Sequence, residues 1–210
     1  MVISFIFVFF NINFFCQERL HVNVEMDVMS KYIKNGFKTK RLTANLTTKE
    51  DMNEFWPNFL DKDDMHYYDE FENWPKTKEE VLEYLVGRQF RPNVFYFAIK
   101  LNENGKPKVI GQLNFKFLRK GVLTLSYWIA KNYRRKGYLK EIGFKFIEEL
   151  FFKLKKVNVL EIFTDDMNVA SKGYILSLFN YLEKRHKCEM NHYVSYEGSE
   201  VVDFYYICKK

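Results

Sequence analysis

The run Arg134-Arg135-Lys136-Gly137-Tyr138 is where residue type and spacing in this sequence could do chemistry. Three consecutive cations lead into a glycine, and the glycine opens a segment of helical period. Backbone N–H groups in the first turn of a helix have no acceptor inside the helix. The positive end of the helix dipole adds to their pull on anions. Glycine lets a backbone approach a ligand without interference from a Cβ, and the cations neutralise phosphate charge. The run therefore suits a phosphate-bearing ligand. It equally suits a solvated basic loop ahead of a surface helix, and on its own it does not decide.

The elements that must position this run follow from periodicity. Residues 39–46 read as a strand. Thr47 and Glu50 are spaced as a capping box for a helix reaching about residue 60. Residues 61–75 are acidic, aromatic and loop-like. Residues 78–90 read as a second helix, with Val81, Leu82, Leu85 and Val86 on one face. Two apolar runs, 94–101 and 108–118, flank the turn signal Asn104-Gly105, and a third covers 122–130. The period then changes. Leu139, Ile142, Phe146, Ile147, Leu150 and Leu154 recur at helical spacing, with Glu141–Lys145 and Glu149–Lys153 as i,i+4 pairs. Residues 157–164 read as a strand, 168–181 as a helix and 201–208 as a last strand. Strand, helix, strand implies a parallel crossover. The order β-α-α-β-β-β-α-β-α-β gives an α/β class with α+β character, a mixed central sheet flanked by helices.

Composition bounds the partners. With 210 residues and 47% hydrophobic content, the chain can bury a core without metals or disulfides. A net charge of +6 favours anionic partners in general. No helix-turn-helix, zinc or aromatic RNA-binding pattern accompanies it, so nucleic acid is not expected as a partner. Cys16, Cys188 and Cys208 form no CxxC pair, and the four histidines form no HExxH, so no metal site is expected. The dense run at 63–70, containing His66, reads as a loop. Residues 1–30 are expected to be a hydrophobic extension, and 31–210 one domain. Within the extension, residues 1–15 are short for a membrane span and lack a basic n-region. Three readings stay open: an atypical signal or anchor, an extra packed element, and an upstream extension with Met26 or Met29 as the start. A cytoplasmic protein is expected, with a secreted or anchored form left open by this segment.

The stretch Tyr127-Trp128-Ile129-Ala130-Lys131-Asn132-Tyr133-Arg134-Arg135-Lys136-Gly137-Tyr138-Leu139-Lys140-Glu141 resembles motif A of the GNAT acetyltransferases, Q/R-x-x-G-x-G/A. Arg134 and Gly137 take its first and fourth places. The wider pattern is similar to the RimJ/RimL branch, Y-W-I-x-x-x-Y-R-G-x-G-Y-A-x-E-A. Thr39, Arg41 and Leu42 resemble that branch's T-x-R-L, and Ile110-Gly111 its I-G. Asp166, Asn168 and Ser171 resemble its D-x-N-x-x-S, and Asp203 and Tyr206 its closing D-x-x-x-Y. The ordered set covers about residues 37–208. Two positions depart from the pattern: Arg135 stands at the branch's first glycine, and Leu139 at the last small residue of motif A. The G-F after the next helix is replaced by Phe179-Asn180-Tyr181.

The resemblance implies an acyltransferase on the GNAT fold, moving an acetyl group from acetyl-CoA, as co-substrate, to a primary amine. The strand holding Trp128, Ile129 and Ala130 would splay from the strand at 160–164. Pantetheine would lie in the gap, pairing with exposed backbone. The pyrophosphate would sit on the amides of Arg135, Lys136, Gly137, Tyr138, Leu139 and Lys140, with Arg134 also among the cofactor-binding residues and Asn168 on the pantetheine arm. Ser171 is the implied catalytic acid, with Tyr174 as a further catalytic candidate and Tyr181 as a spare, although Asn168 and Ser171 also suit plain helix capping. The strand glutamate many relatives use is missing near Thr124, which leaves Glu161 and Asp165 as weak candidates for a base. A protein N-terminal α-amine is the expected acceptor, since its pKa is about 8 against about 10.4 for lysine. A small polyamine or aminoglycoside-like amine is the alternative acceptor. A CoA-binding regulatory protein with weak catalysis is the non-enzymatic reading. The expected assembly is a monomer or a homodimer.

Overall fold

The apolar, aromatic central runs are laid out as strands whose successive side chains point to two faces, and in β3 both faces are buried. The computed structural model describes residues 26–60, 76–89, 93–103, 105–165, 167–197 and 200–209. The elements are α1 (Met26–Asn35), β1 (Phe37–Lys38), β2 (Leu42–Leu46), α2 (Lys49–Phe55), a 3₁₀ turn (Trp56–Leu60), α3 (Lys78–Gln89), β3 (Val94–Glu103), β4 (Lys106–Arg119) and β5 (Val122–Ile129). After a second 3₁₀ turn (Lys131–Tyr133) come α4 (Tyr138–Phe146), a π turn (Ile147–Phe151), β6 (Val159–Asp165), α5 (Val169–His186), β7 (Glu189–Glu197) and β8 (Glu200–Lys209).

The strands form one eight-stranded sheet in the order β1-β2-β3-β4-β5-β6-β8-β7. Neighbours are antiparallel except β5 and β6, which are parallel. The expected meander (β3, β4, β5) and the expected crossover through α4 are both present. One face of the sheet carries Phe97, Leu113, Phe115 and Leu125 and packs against α1, α4 and α5. Phe115 meets Phe97 at 5.1 Å and Phe146 of α4 at 4.6 Å between ring centroids. Each such side chain, fully buried, stabilises the fold by about 1.5–3 kcal/mol. The opposite face carries Ala98, Trp128 and Ala130 and packs against Met52 and Phe55 of α2 and Val81 of α3.

Several expectations are corrected. Helix α1 was not anticipated, and it spans residue 30, with Met29 fully buried in the core. Strand β7 was missed because it lies at the sheet edge. Pairing on one side only leaves Asn191 and His192 free of any need for clean apolar alternation. The capping box shifts by one residue to Thr48 and Asp51. Thr47 is instead buried, its hydroxyl donating to the Tyr96 carbonyl at 3.0 Å. The helix pairs also move. Lys145 joins Glu149 at 2.6 Å, Glu141 is taken by Arg41, and Lys153 donates to the Tyr32 hydroxyl. Glu141 and Lys153 take partners from elsewhere in the fold, and this frees Lys145 and Glu149 to form a local i,i+4 pair of their own. Val86 is exposed and does not share the buried face of Val81. Cys188 and Cys208, on which the sequence carried no pairing expectation, are disulfide-bonded with Cα atoms 5.6 Å apart. The loop at 61–75 with His66, Cys16, Asn104, Asp166 and the N-terminal segment before residue 26 lie outside the described residues. No helix among the described residues is long and apolar enough to cross a membrane.

Candidate active site

Strands β5 and β6 pair at only three positions, Val122 with Val159, Leu123 with Leu160 and Thr124 with Glu161. Past Thr124 no ladder pair joins them. β5 continues to Ile129 on its other neighbour β4, and β6 continues to Asp165 on β8. The two strands thus part into a slot edged by unladdered backbone. An extended chain with amide groups can enter such a slot as an extra strand.

The basic run closes the outer end of this slot. Arg134 turns its Nε back onto the Ile129 carbonyl at 2.9 Å, fixing the loop to the end of β5. Arg135 has φ 61° and Gly137 φ 75°. Arg135 therefore takes a left-handed conformation where the resembled branch has glycine, at a cost of about 1–2 kcal/mol for a side-chain-bearing residue. Gly137 is the N-cap of α4, and no side chain caps the helix. A Cβ there would meet only the Arg41 guanidinium within 4 Å. The first N–H groups of α4 are thus presented to solvent beside the exposed side chains of Arg135, Lys136 and Lys140. Such a cradle of free N–H groups and cations suits a diphosphate, and its donor set fits CoA.

The expected ligand residues divide by what they can offer. Trp128, Ile129 and Ala130 are buried by their side chains, so only their backbone is available to a ligand. The Tyr138 ring is buried and lies 4.5 Å from the Arg41 guanidinium. Leu139 packs against the main core. Its bulk therefore turns away from the cradle, consistent with its helical spacing.

The cradle is anchored from the far end of the domain. Glu141 Oε1 accepts from the Thr39 hydroxyl at 2.5 Å and from the Arg41 N–H at 3.0 Å, and Oε2 accepts from Arg41 Nε at 2.6 Å. Arg41 also donates to the Lys136 carbonyl at 3.2 Å. Burial alone would raise the Glu141 pKa. The bonds from Thr39 and Arg41 outweigh it and hold the carboxyl below its ordinary value.

At the slot's helix side stands Ser171, whose hydroxyl lies 2.7 Å from the Tyr127 phenol oxygen. Asn168 caps α5 by accepting from the Ser171 N–H at 3.0 Å, so its carbonyl oxygen is engaged in the cap. The Tyr174 ring meets Tyr127 edge-on at 4.7 Å. Its hydroxyl is buried with no hydrogen-bond partner among the described residues and packs over Gly143 of α4. Burial, with Tyr127 adding, pushes the Tyr174 phenol well above its ordinary pKa. Tyr181 is not at the slot; it donates to Glu148 at 2.5 Å. Glu161 is clamped by Arg119 at 2.7 and 2.8 Å, and Asp165 caps the Met167 N–H at 2.7 Å, which leaves neither well placed as a base. Tyr127 had matched the family pattern without a role. Its place on the strand beside the slot, facing the helix that bears Ser171, was the available signal.

Residues 41–178 match the sequence model of the Acetyltransferase (GNAT) domain. No curated protein matches the chain. Among solved structures, a GNAT-family acetyltransferase from Bacillus anthracis superposes with a TM-score of 0.62 at 16% identity, covering 82% of this chain and 96% of that one. RimL, a ribosomal L7/L12 alpha-N-protein acetyltransferase solved with coenzyme A, gives 0.61 at 12% identity, covering 80% and 94%. The microcin C7 self-immunity acetyltransferase MccE, solved with acetyl-CoA and AMP, gives 0.60 at 14% identity, covering 82% and 93%. At these identities the likeness carries the fold.

Proposed function

The chain belongs to the GNAT acetyltransferase family, and we propose that within it the protein acetylates protein N-terminal α-amines. The enzyme is an acetyl-CoA-dependent acyltransferase. The observation that carries the reading is the three-residue pairing of β5 with β6 beside an uncapped helix start at Gly137.

Acetyl-CoA supplies the activated thioester. The amides at residues 135–140 and the cations around them hold its diphosphate, and the unladdered edges of β5 and β6 hold its amide-bearing arm. The amine nitrogen forms a bond to the acetyl carbon as the carbon–sulfur bond breaks. The sulfur gains a proton and the amine loses one. In this reading Ser171, oriented by Tyr127, delivers the proton to sulfur. Tyr174, expected as a second acid, keeps its proton through burial and holds the Tyr127 ring in place.

Two observations support an α-amine. No free carboxylate stands on β5, so the acceptor must arrive largely neutral, and an α-amine of pKa about 8 does so far more readily than a lysine at about 10.4. RimL, which shares the fold, acts on such an amine by its own description. The test is thiol release by the full chain with acetyl-CoA and two acceptor sets, peptide amides with free N-termini and linear polyamines. Turnover with the peptides supports the reading. Turnover confined to polyamines replaces it with the small-amine alternative.

A further inference from the structure

The sheet face opposite α4 and α5 carries two buried polar atoms that the reaction so far leaves unused. Asn114 on β4 is 7% exposed and Thr124 on β5 is 1% exposed. The Asn114 Oδ1 and the Thr124 Oγ1 have no hydrogen-bond partner among the described residues. Asn114 stands directly opposite Ser126, and Thr124 is two residues from Ser126 on the same strand. All three therefore share one face, and Asn114 and Thr124 are diagonal neighbours about 7–8 Å apart. An unpaired buried polar atom costs about 1–3 kcal/mol. Two of them side by side need a reason.

Their position supplies one. Thr124 is the last β5 residue paired to β6, so the pair stands at the inner end of the slot. The diphosphate cradle closes the outer end, and an arm lying along the slot brings its thioester to the inner one. Ser171 approaches from the α5 side, while Asn114 and Thr124 lie on the other side of the sheet. The charged groups on this face around Thr124 are Lys116, its cross-strand partner, and Glu161, its β6 neighbour, which Arg119 neutralises. Among the described residues, the carboxylate nearest Thr124 on this face is thus paired, and Asn114 and Thr124 offer neutral hydrogen-bond acceptors.

We propose that Asn114 and Thr124 form the subsite that receives the N–H groups of a neutral primary amine and aims its lone pair at the thioester. The inference rests on the acetyltransferase reading above and adds which residues select the acceptor.

The experiment measures KM for a serine-initiated tetrapeptide amide and kcat, with the acetyl-CoA-induced melting shift as a control, in the full chain and in Thr124→Val and Asn114→Ala. Removing an unpartnered hydroxyl should leave stability equal or higher, so Thr124→Val carries the test even if Asn114→Ala folds poorly. The expected result is a KM raised about tenfold or more in each folded variant, with the melting shift retained. A KM within twofold of the parent in Thr124→Val, or a Thr124→Val protein clearly less stable than the parent, overturns the inference and leaves the acetyltransferase reading standing. A parent that binds acetyl-CoA but acetylates neither the peptide nor a polyamine overturns both.

Discussion

The Ser171 hydroxyl and the Tyr127 phenol, 44 residues apart, share a hydrogen bond of 2.7 Å across the gap between α5 and β5. The pair fixes where Ser171 points and provides a route by which a proton lost from it can be restored. General acid catalysis of this kind contributes about 10²–10⁴-fold. Ser171→Ala should therefore lower kcat by about 10²-fold while leaving the acetyl-CoA dissociation constant unchanged. Tyr127→Phe should lower kcat less, about tenfold. In the double variant the two losses should fall short of adding, because both act through one hydrogen bond. Steady-state kinetics and calorimetry on the three variants check this.

Glu141 gives a pH-dependent stability. Its folded pKa lies below the ordinary carboxylate value, since the bonds from Thr39 and Arg41 outweigh burial. A depressed folded pKa contributes stability that is fully present above the unfolded value, about 4.3, and is lost as pH falls through the folded one. Glu141→Gln should lower the urea midpoint at pH 7 by an amount equivalent to about 1 kcal/mol, a modest figure because Arg41 is partly exposed. The difference from the parent should narrow as the pH drops below about 4. A difference constant from pH 7 to pH 3 would show that the charge on Glu141 is not what matters.

Gly143 reverses the usual rule for helices. Gly to Ala inside a helix ordinarily gains about 1 kcal/mol. Here a Cβ would collide with the buried Tyr174 hydroxyl. Gly143→Ala should therefore destabilise by about 1–3 kcal/mol. Tyr174→Phe should be neutral or stabilising, because it removes a hydroxyl without a partner. In the Tyr174→Phe background, Gly143→Ala should recover much of its cost. Thermal or urea melts of the four proteins close the cycle.

Much of this was legible in the sequence, for identifiable reasons. The meander and the crossover follow from the apolar, aromatic runs at 94–130, broken by the turn signals Asn104-Gly105 and Lys120-Gly121, and from the helical period of Leu139 to Leu154. The cradle was readable because cations and a glycine stand directly before that helix. The splay of β5 from β6 was not readable from the residues themselves and came with the family resemblance. Thr39, Arg41 and Glu141 were recognised only as separate pattern matches. That they meet required the fold, since about 100 residues separate them. Helix α1 and strand β7 were missed because α1 follows an apolar segment that obscures its period and β7 is an edge strand of mixed polarity. Tyr127 and Asn114 gained their meaning only once neighbouring strands and helices placed unpaired or shared hydrogen bonds beside the slot.

The central claim is that the slot between β5 and β6, capped by the Gly137 cradle, binds acetyl-CoA. The most direct measurement is the melting temperature of the full chain with and without acetyl-CoA, for the parent and for Gly137→Asp. At about 100 times its Kd the ligand should stabilise the parent by about 2.7 kcal/mol, an upward shift of roughly 5–10 °C for a chain of this size. Gly137→Asp puts a side chain at φ 75° and a negative charge at the helix start. It should melt somewhat lower without ligand and show little or no shift with it. No shift in the parent at millimolar acetyl-CoA, or an equal shift in Gly137→Asp, would contradict the account.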